Sequence, residues 1–251
     1  MSESKLRPIA GTHAIKETLF VRPRTVRVGW LDPKWESSAD LREVHKTLIS
    51  HKIKIELKPP AMIEKICRSH QGAVLYADPL KEPDLSFVKE STPATVLLLD
   101  GLEDPHNLGA ILRTSWLLGI KAILLPQERA VGLTATVHKI ACGGVEHVPV
   151  ITCNQFAKPI EELKEMGFWV FGLSHRAKVS LHSWKAHEKV VWCIGSEEKG
   201  LRTTTERLCD ELVQIPQLSA AASFNASVAT AIALSETHRQ HSLLNLSSKS
   251  Q

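Results

Sequence analysis

The sequence predicts an α/β fold in which a parallel sheet forms the larger part of the protein and a smaller α/β module precedes it. Short runs rich in Val, Ile and Leu alternate along the 251 residues with longer segments whose apolar residues recur every three or four positions. In residues 94–241 the short runs barely alternate between apolar and polar side chains, as expected of parallel strands that helices cover on both faces. Residues 79–93 are rich in proline and charge and predict a linker after residues 1–78.

Residues 1–78 alternate between helical and strand patterns. The predicted elements are a helix at 11–20, a strand at 25–31, a helix at 37–51, a strand at 52–57, a helix at 60–69 and a strand at 72–77. The second helix opens with Ser and Asp, and its residues Leu41, Val44 and Leu48 recur at a helical spacing. Pro60 suits the first position of the third helix. These residues therefore predict a small α/β module.

Residues 94–241 repeat this alternation with longer apolar runs. Strands are predicted at 95–100, 122–126, 147–151, 168–174, 190–195 and 211–215. Helices are predicted at 105–119, 133–141, 155–166, 200–209 and 223–241. The last residues, 242–251, are largely polar and predict a flexible tail.

The composition favours a cytoplasmic protein that neither crosses a membrane nor holds a metal. The chain has 31 Lys and Arg against 27 Asp and Glu, and its net charge of +4 permits a nucleic-acid partner without requiring one. The five Cys lack C-x-x-C spacing, which favours free thiols in a reducing compartment over a zinc site. No signal segment opens the sequence, and no apolar run reaches the length of a membrane span.

In an open parallel sheet, ligands bind beyond the carboxyl ends of the strands, so the loops after the predicted strands are candidate sites. In the first loop, residues 100–109, Asp104 can cap the next helix and Pro105 suits its first turn. Arg113 falls opposite the apolar face of that helix. Arg113 is then either a solvated surface residue or part of a site, and Asn107 is either an ordinary first-turn residue or part of the same site.

Two further loops carry small and polar residues. In residues 193–201, Gly195 permits close approach of a ligand to the backbone and Gly200 permits a turn. In residues 214–236, Ile215 and a proline end a strand, and "SFN" starts an Ala-rich helix. Each loop alone also fits a plain turn or a capped helix. The glycine motifs of dinucleotide-binding and NTP-binding loops are missing, which disfavours a nucleotide-dependent metabolic enzyme.

Taken together and in this order, the loops resemble the motifs of the SpoU, or TrmH-like, RNA ribose 2′-O-methyltransferases of the SPOUT superfamily. The matching stretches are D-P-x-N-x-G-x-x-x-R-T at 104–114, G-S-E-x-x-G at 195–200, I-P at 215–216 and S-x-N at 223–225. Near the N-terminus, "IAGTHAIKETL" and "RSHQGAVLYA" look like the ends of the family's RNA-binding domain. That domain is similar to kink-turn-binding ribosomal proteins.

This resemblance implies a fold, a cofactor and a partner. It implies a homodimer formed through the catalytic domain, residues 94–241, with a deep C-terminal trefoil knot that holds S-adenosylmethionine. The implied acceptor is a ribose 2′-hydroxyl in RNA. An N-terminal domain of this type favours rRNA, and tRNA is the alternative.

The resemblance also assigns roles to individual residues. Arg113 either takes the proton of the hydroxyl or holds the adjacent phosphate as a charge. The other implied catalytic residues are Asn107 and Glu197, as organisers of Arg113 and the ribose, and Ser223 and Asn225, near the reacting centre. The implied cofactor-binding residues are Gly195, Ile215, Phe224, Leu125 and Gly200.

Three positions depart from the family pattern. Gln217 stands where the family usually has Met, Phe224 where it usually has Leu, and Ala220–Ala222 where it usually has a glycine-containing loop. These positions touch the expected cofactor site. They are the support for an alternative in which the chain is a catalytically inactive RNA-binding assembly factor.

Overall fold

The computed structural model describes residues 6–128, 130–219 and 222–248, with side chains through Leu243. The chain divides into two units, which are treated separately below. The first contains the described residues up to Lys81 together with Leu108–Arg113 and Val131–His147. The second contains the other described residues. Within the described part of the chain, no helix is both long and apolar enough to span a membrane.

The helices and strands follow one another in a regular order. In the N-terminal part they are β1 (Arg7–Ala10), α1 (Thr12–Val21), β2 (Val26–Leu31), α2 (Ala39–Ser50), β3 (Lys54–Leu57), α3 (Pro60–Glu64) and β4 (Ala73–Ala77). Next come β5 (Ala94–Asp100), α4 (Pro105–Leu117), β6 (Ala122–Pro126), α5 (Ala135–Ala141), α6 (Gly144–His147), β7 (Val150–Cys153) and α7 (Ala157–Glu165). The last are β8 (Trp169–Leu173), β9 (Val179–Ser180), β10 (Lys189–Gly195), α8 (Thr203–Glu206), β11 (Glu211–Gln214) and α9 (Ala226–Ser248).

A four-stranded sheet in the order β1-β4-β2-β3 organises the first unit. Only β2 and β3 of this sheet pair in parallel. The helices and strands predicted for residues 1–78 are present, but β1 was not predicted, and α3 ends at Glu64 rather than near residue 69. Beyond α3 the chain turns, and Gln71 adopts a left-handed φ of 53°. Its side-chain oxygen accepts a hydrogen bond from the Thr12 N–H at 3.0 Å, which satisfies a donor at the start of α1.

Both faces of this sheet are covered. One face packs under α1 and α2, with Ile9, Ile15, Leu19, Val44, Leu48 and Leu75 in its core. The other face packs against α3 and the start of α5 through Ala10, Ile63, Val74 and Ala135. Because Ala135 lies 57 residues beyond the predicted end of the N-terminal module, the first unit includes sequence that was predicted for the catalytic domain.

A buried ion pair joins Arg22, the residue directly after α1, to α6 inside the first unit. The Glu146 carboxylate accepts hydrogen bonds from Arg22 Nε at 2.5 Å, from Arg22 Nη2 at 3.0 Å and from Thr18 Oγ1 at 2.9 Å. The Glu146 side chain is 1% exposed and that of Arg22 is 12% exposed. Beside them, His147 Nε2 lies 2.8 Å from a Glu17 oxygen. Two consecutive residues of α6 are therefore held by polar groups of α1.

The second unit contains a seven-stranded sheet in the order β7-β6-β5-β10-β8-β11-β9, in which every pairing is parallel. This confirms the α/β fold with a parallel sheet. The seven residues of β5 and the inner residues of β10 are buried, in agreement with strands covered on both faces. The order places β5 and β10 at the centre and brings together loops that lie far apart in the sequence.

Several predicted boundaries in residues 94–251 were wrong. The strand predicted at 147–151 lies at 150–153, because residues 144–147 form α6. The helix predicted at 200–209 is confined to 203–206. The last helix begins at Ala226 and continues through Ser248, so most of the predicted tail is helical, and residues 249–251 lie outside the described part. In the segment predicted as a linker, Leu85 and Val88 are buried in the core of the second unit.

Candidate active site

A cavity of about 480 Å³ lies beyond the carboxyl ends of β8, β10 and β11 in the second unit. Its walls come from the residues that directly follow these strands and from the start of α9. This is where the general rule for open parallel sheets places a ligand. Of the residues predicted to bind cofactor, the cavity is lined by Gly195, Gly200, Ile215 and Phe224. Leu125 is buried on β6, which β5 separates from β10, and it does not line this cavity.

The loop after β10 closes on itself. The Ser196 N–H donates to the Gly200 carbonyl at 3.1 Å, and the Gly200 N–H donates to the Ser196 carbonyl at 2.9 Å. Gly200 has a φ of 68°, which confirms the turn predicted for it. A Cβ on Gly195 would lie 2.0 Å from the Gly200 carbonyl carbon. A glycine is therefore required at position 195 because residues 200–201 of the same loop pack directly on its backbone. The expected reason was the close approach of a ligand.

Asp100 anchors the far end of this loop. It is the last residue of β5, and its carboxylate accepts hydrogen bonds from the Arg202 N–H at 3.0 Å and from Arg202 Nε at 2.5 Å. The Asp100 side chain is fully buried, while that of Arg202 is 46% exposed. No motif in the sequence marks this pair. An acid that directly follows the apolar run Val96–Leu99 was the available signal, because a buried carboxylate requires a partner.

Three predicted residues from three different loops form one hydrogen-bonded network. Glu197 Oε1 accepts hydrogen bonds from Asn107 Nδ2 at 2.7 Å and from Asn225 Nδ2 at 2.5 Å. Asn225 Nδ2 also lies 2.9 Å from Asn107 Oδ1. Asn107 is 5% exposed although it lies in the first turn of α4. We call Asn107, Glu197 and Asn225 the amide–carboxylate network.

The network also forms the start of α9. Asn225 Oδ1 accepts a hydrogen bond from the Ser227 N–H at 2.9 Å, and Glu197 Oε1 accepts one from the Ala226 N–H at 3.2 Å. A carboxylate at a helix N-terminus is favoured by the helix dipole. Ser223 lines the cavity but precedes the helix, so the prediction that it begins α9 was wrong and Asn225 holds that position.

Arg113 lies on α4 in the first unit and its side chain is exposed. Leu108, Ile111 and Leu112 on the opposite side of the helix are fully buried, in agreement with the predicted apolar face. Gly144 of α6 packs on the backbone here, since a Cβ on it would lie 2.6 Å from the Leu112 carbonyl oxygen. The expected contact of Arg113 with Asn107 and Glu197 stays a prediction.

Two of the three departures from the family pattern are in the described residues. Gln217 Nε2 donates a hydrogen bond to the Ala222 carbonyl at 3.1 Å, within the loop that joins β11 to α9. Phe224 is 40% exposed at the cavity. Ala220 and Ala221 lie outside the described residues. No group of three or more His, Cys, Asp or Glu suited to a metal occurs in the described ranges.

Two family models match the chain. The model described as the SpoU rRNA methylase family matches residues 94–235. The model described as RNA 2′-O ribose methyltransferase substrate binding matches residues 8–83. Together they span both the amide–carboxylate network and the N-terminal sheet.

Individual proteins of known sequence or structure are also similar. The 23S rRNA (guanosine-2′-O-)-methyltransferase RlmB of Neisseria meningitidis is 37% identical over 95% of this chain and 97% of its own length. A putative TrmH family tRNA/rRNA methyltransferase of Staphylococcus aureus is 34% identical over 92% of this chain and 95% of its own. The SpoU methyltransferase AviRb from Streptomyces viridochromogenes, solved with AdoMet, shares the fold with a TM-score of 0.83, at 19% identity over 95% of this chain and 91% of that one.

Proposed function

We propose that this chain, which belongs to the SpoU rRNA methylase family, methylates the ribose 2′-hydroxyl of a guanosine in 23S rRNA with S-adenosylmethionine as the methyl donor. The two family models give the class of reaction, which is RNA 2′-O-methylation. The guanosine and the 23S rRNA come from the name of the Neisseria relative. The amide–carboxylate network is the observation that carries the proposal for an active enzyme, because all three of its residues are present in this chain and hydrogen-bonded to one another.

The cavity beside the network fits the cofactor. A volume of about 480 Å³ is within the range usual for small-molecule sites, roughly 300–1,000 Å³. Its wall combines the backbone of residues 195–200 with the side chains of Ile215 and Phe224. The backbone groups suit the hydrogen-bonding edge of an adenine, and the two apolar side chains suit its face. We assign cofactor binding to Gly195, Gly200, Ile215 and Phe224. When bound, the cofactor supplies a methyl group on a positively charged sulfur.

The network's role is to position the acceptor. Glu197 Oε1 accepts three hydrogen bonds from groups of the protein, so this oxygen is committed to Asn107, Asn225 and the start of α9. We therefore assign Glu197 to fixing the two amides rather than to taking the proton of the hydroxyl. The amides then hold the ribose for in-line attack, and such positioning can lower a barrier by about 7–11 kcal/mol.

We assign Arg113 and Ser223 to the reacting centre. Arg113 is exposed on a helix whose other side is fully buried, so its side chain is available to RNA. Its guanidinium suits a phosphate and a hydroxyl held side by side. We assign it the role of a positioning charge because Arg normally stays protonated. The proton that the hydroxyl loses as the methyl is transferred then passes to solvent water.

We further propose a homodimer formed through the catalytic domain, with a trefoil knot at its C-terminal end. Exposed apolar side chains on α4 and α9, namely Leu117, Val228 and Leu243, support a partner surface. We also propose that residues 1–78 bind RNA in the manner of kink-turn-binding proteins, and that the protein works in the cytoplasm, where its rRNA substrate would be. Measuring the mass in solution by light scattering tests the dimer.

Methylation of defined RNAs tests the proposed activity. The full chain is incubated with radiolabelled S-adenosylmethionine and either 23S rRNA or a tRNA pool, and the modified position is mapped by resistance to alkaline hydrolysis. We expect label at a guanosine of 23S rRNA. Label in tRNA alone would refute the rRNA assignment. Cofactor binding in calorimetry without methylation of either RNA would favour the inactive assembly factor.

A matched pair of variants tests the network. Glu197→Ala removes the acceptor of three hydrogen bonds, and misplacement of reacting groups by about 1 Å can cost roughly 10²-fold in rate. We expect that loss in Glu197→Ala. Glu165→Ala, at the exposed end of α7, makes the same change of charge and should leave the rate unchanged. Equal rates for the two variants would remove the network from the mechanism.

A further inference from the structure

A second cavity, of about 670 Å³, opens at the carboxyl ends of β6 and β7 in the second unit. Its lining includes Gln127, Glu128, Asn154, Gln155, the buried ring of Phe156, and Arg202. Arg202 directly follows residues 195–201, which line the first cavity. The two cavities therefore share one wall, formed by the loop after β10 and the residues that continue it.

The polar side chains of this cavity are available to a ligand. Among the residues that the structure describes, the side chains of Gln127, Glu128, Asn154 and Gln155 have no hydrogen-bond partner in the protein. Their amides offer donors and acceptors, and the carboxylate offers acceptors only. The lining thus combines free hydrogen-bonding groups with a buried aromatic ring.

The charges of the lining disfavour a phosphate. The Arg202 guanidinium is already paired with the buried Asp100 carboxylate. Glu128 adds a negative charge, which would repel an anion. A neutral, planar ligand with its own donors is a better match, and the Arg202 guanidinium, 6.0 Å from the Phe156 ring centroid, adds a second planar group.

We propose that this cavity receives the guanine base of the nucleotide that is methylated, an inference that rests on the proposed function. Proteins that read single-stranded RNA hydrogen-bond the edges of splayed-out bases and stack their faces on aromatic rings or guanidinium planes. Guanine presents two adjacent donors, N1–H and the 2-amino group, which match the two oxygens of Glu128. Its O6 accepts from the amide of Asn154 or Gln127.

This arrangement selects against the other bases. Adenine presents an acceptor, N1, where guanine presents a donor, and would place it against the Glu128 carboxylate. Uracil flanks its single ring N–H with two carbonyl oxygens. A site built to accept a donor rejects a ligand that lacks it, because the group of the protein is left unpaired. Glu128 is thus a specificity-determining residue, and it carries no part of the methyl transfer itself.

A substitution in the RNA combined with one in the protein tests this assignment. The target guanosine, located by the mapping described above, is replaced by inosine, which lacks the 2-amino group. For the wild-type chain we expect kcat/KM to fall about tenfold on the inosine RNA, as for loss of one good base contact. For Glu128→Ala we expect a fall of about tenfold on the guanosine RNA and almost no further fall on the inosine RNA.

One control and one further variant complete the experiment. Glu165→Ala should keep the wild-type preference for guanosine, and Asn154→Ala should weaken RNA methylation without changing the affinity for S-adenosylmethionine. A Glu128→Ala enzyme that keeps the tenfold preference would overturn this inference alone. A wild-type chain that methylates a pyrimidine nucleotide would also overturn it. A wild-type chain that methylates no RNA would overturn the proposed function, and the inference with it.

Discussion

Replacing Arg22 with alanine should destabilise the first unit strongly, because it leaves the Glu146 carboxylate buried without its cation. Arg22 donates two hydrogen bonds to Glu146, at 2.5 and 3.0 Å, and a third to the Asp78 carbonyl at 2.8 Å. With the Glu146 side chain 1% exposed, solvent cannot replace the lost partner. Removing one member of a buried pair typically costs about 3–5 kcal/mol.

A surface ion pair on α1, the helix that Arg22 follows, provides the control. Lys16 on α1 contacts Asp40 and Glu43, whose side chains are 51% and 63% exposed. Exposed pairs contribute roughly 0–1 kcal/mol, so Lys16→Ala should change the stability little. The free energy of unfolding of the wild type and both variants is measured by urea denaturation, followed by circular dichroism. In heating experiments the Arg22→Ala melting temperature should fall by roughly 6–20 °C, at about 2–4 °C per kcal/mol.

The double variant separates loss of the pair from loss of packing. Replacing both partners of a buried pair with apolar residues of similar volume is often neutral or stabilising. Arg22→Met combined with Glu146→Leu should therefore be more stable than Arg22→Ala. A free energy of unfolding for Arg22→Ala within about 1 kcal/mol of the wild type, like that of Lys16→Ala, would refute the reasoning.

Three further predictions concern other positions. Arg113→Ala should fold and bind cofactor normally but lose at least roughly 10²-fold in the rate of single-turnover methyl transfer. Arg113→Lys should restore little of that rate. A wild-type rate in Arg113→Ala would show that Arg113 is a surface residue without a role in the reaction. Gly195→Ala should lower both the melting temperature and the affinity for cofactor, because the new Cβ would meet the backbone of residues 200–201. Gly132→Ala is the control, since the space around Gly132 is open. Equal melting temperatures for the two variants would contradict the close approach of the loop to Gly195. Burial lowers the pKa of His138 from 6.5 to about 4, so as the pH drops the unfolded state binds a proton before the folded state does. The free energy of unfolding should therefore fall by up to about 3 kcal/mol between about pH 6.5 and pH 4. His138→Gln should flatten this part of the curve of stability against pH, and an unchanged slope would show that His138 is not its source.

The sequence predicted the parallel sheet because its strands are apolar on both faces, which is a local property. It missed β1, since Arg7 and Pro8 are atypical of a strand, although an edge position tolerates them. It missed the two-residue β9, which is too short to show any period.

The candidate site was predictable where motifs mark it. Asn107, Glu197 and Asn225 were identified, and the structure brings them together. The reason for Gly195 could not be seen, because it depends on how the loop returns over β10. The pair of Arg22 and Glu146 joins residues 124 positions apart, and no local pattern reports such a contact.

The attachment of α6 to α1 decides where this protein can be divided. Residues 84–93 connect the segments matched by the two family models, and they would be the obvious place to divide the protein into two fragments. A shortened protein that begins there would keep Glu146 but lose Thr18 and Arg22, and would uncover Ala135. Exchange of the N-terminal sheet between relatives therefore has to carry residues 131–147 with it, together with residues 108–113, on which Gly144 packs. The exchanged unit is discontinuous in sequence and includes the two helices that follow β6.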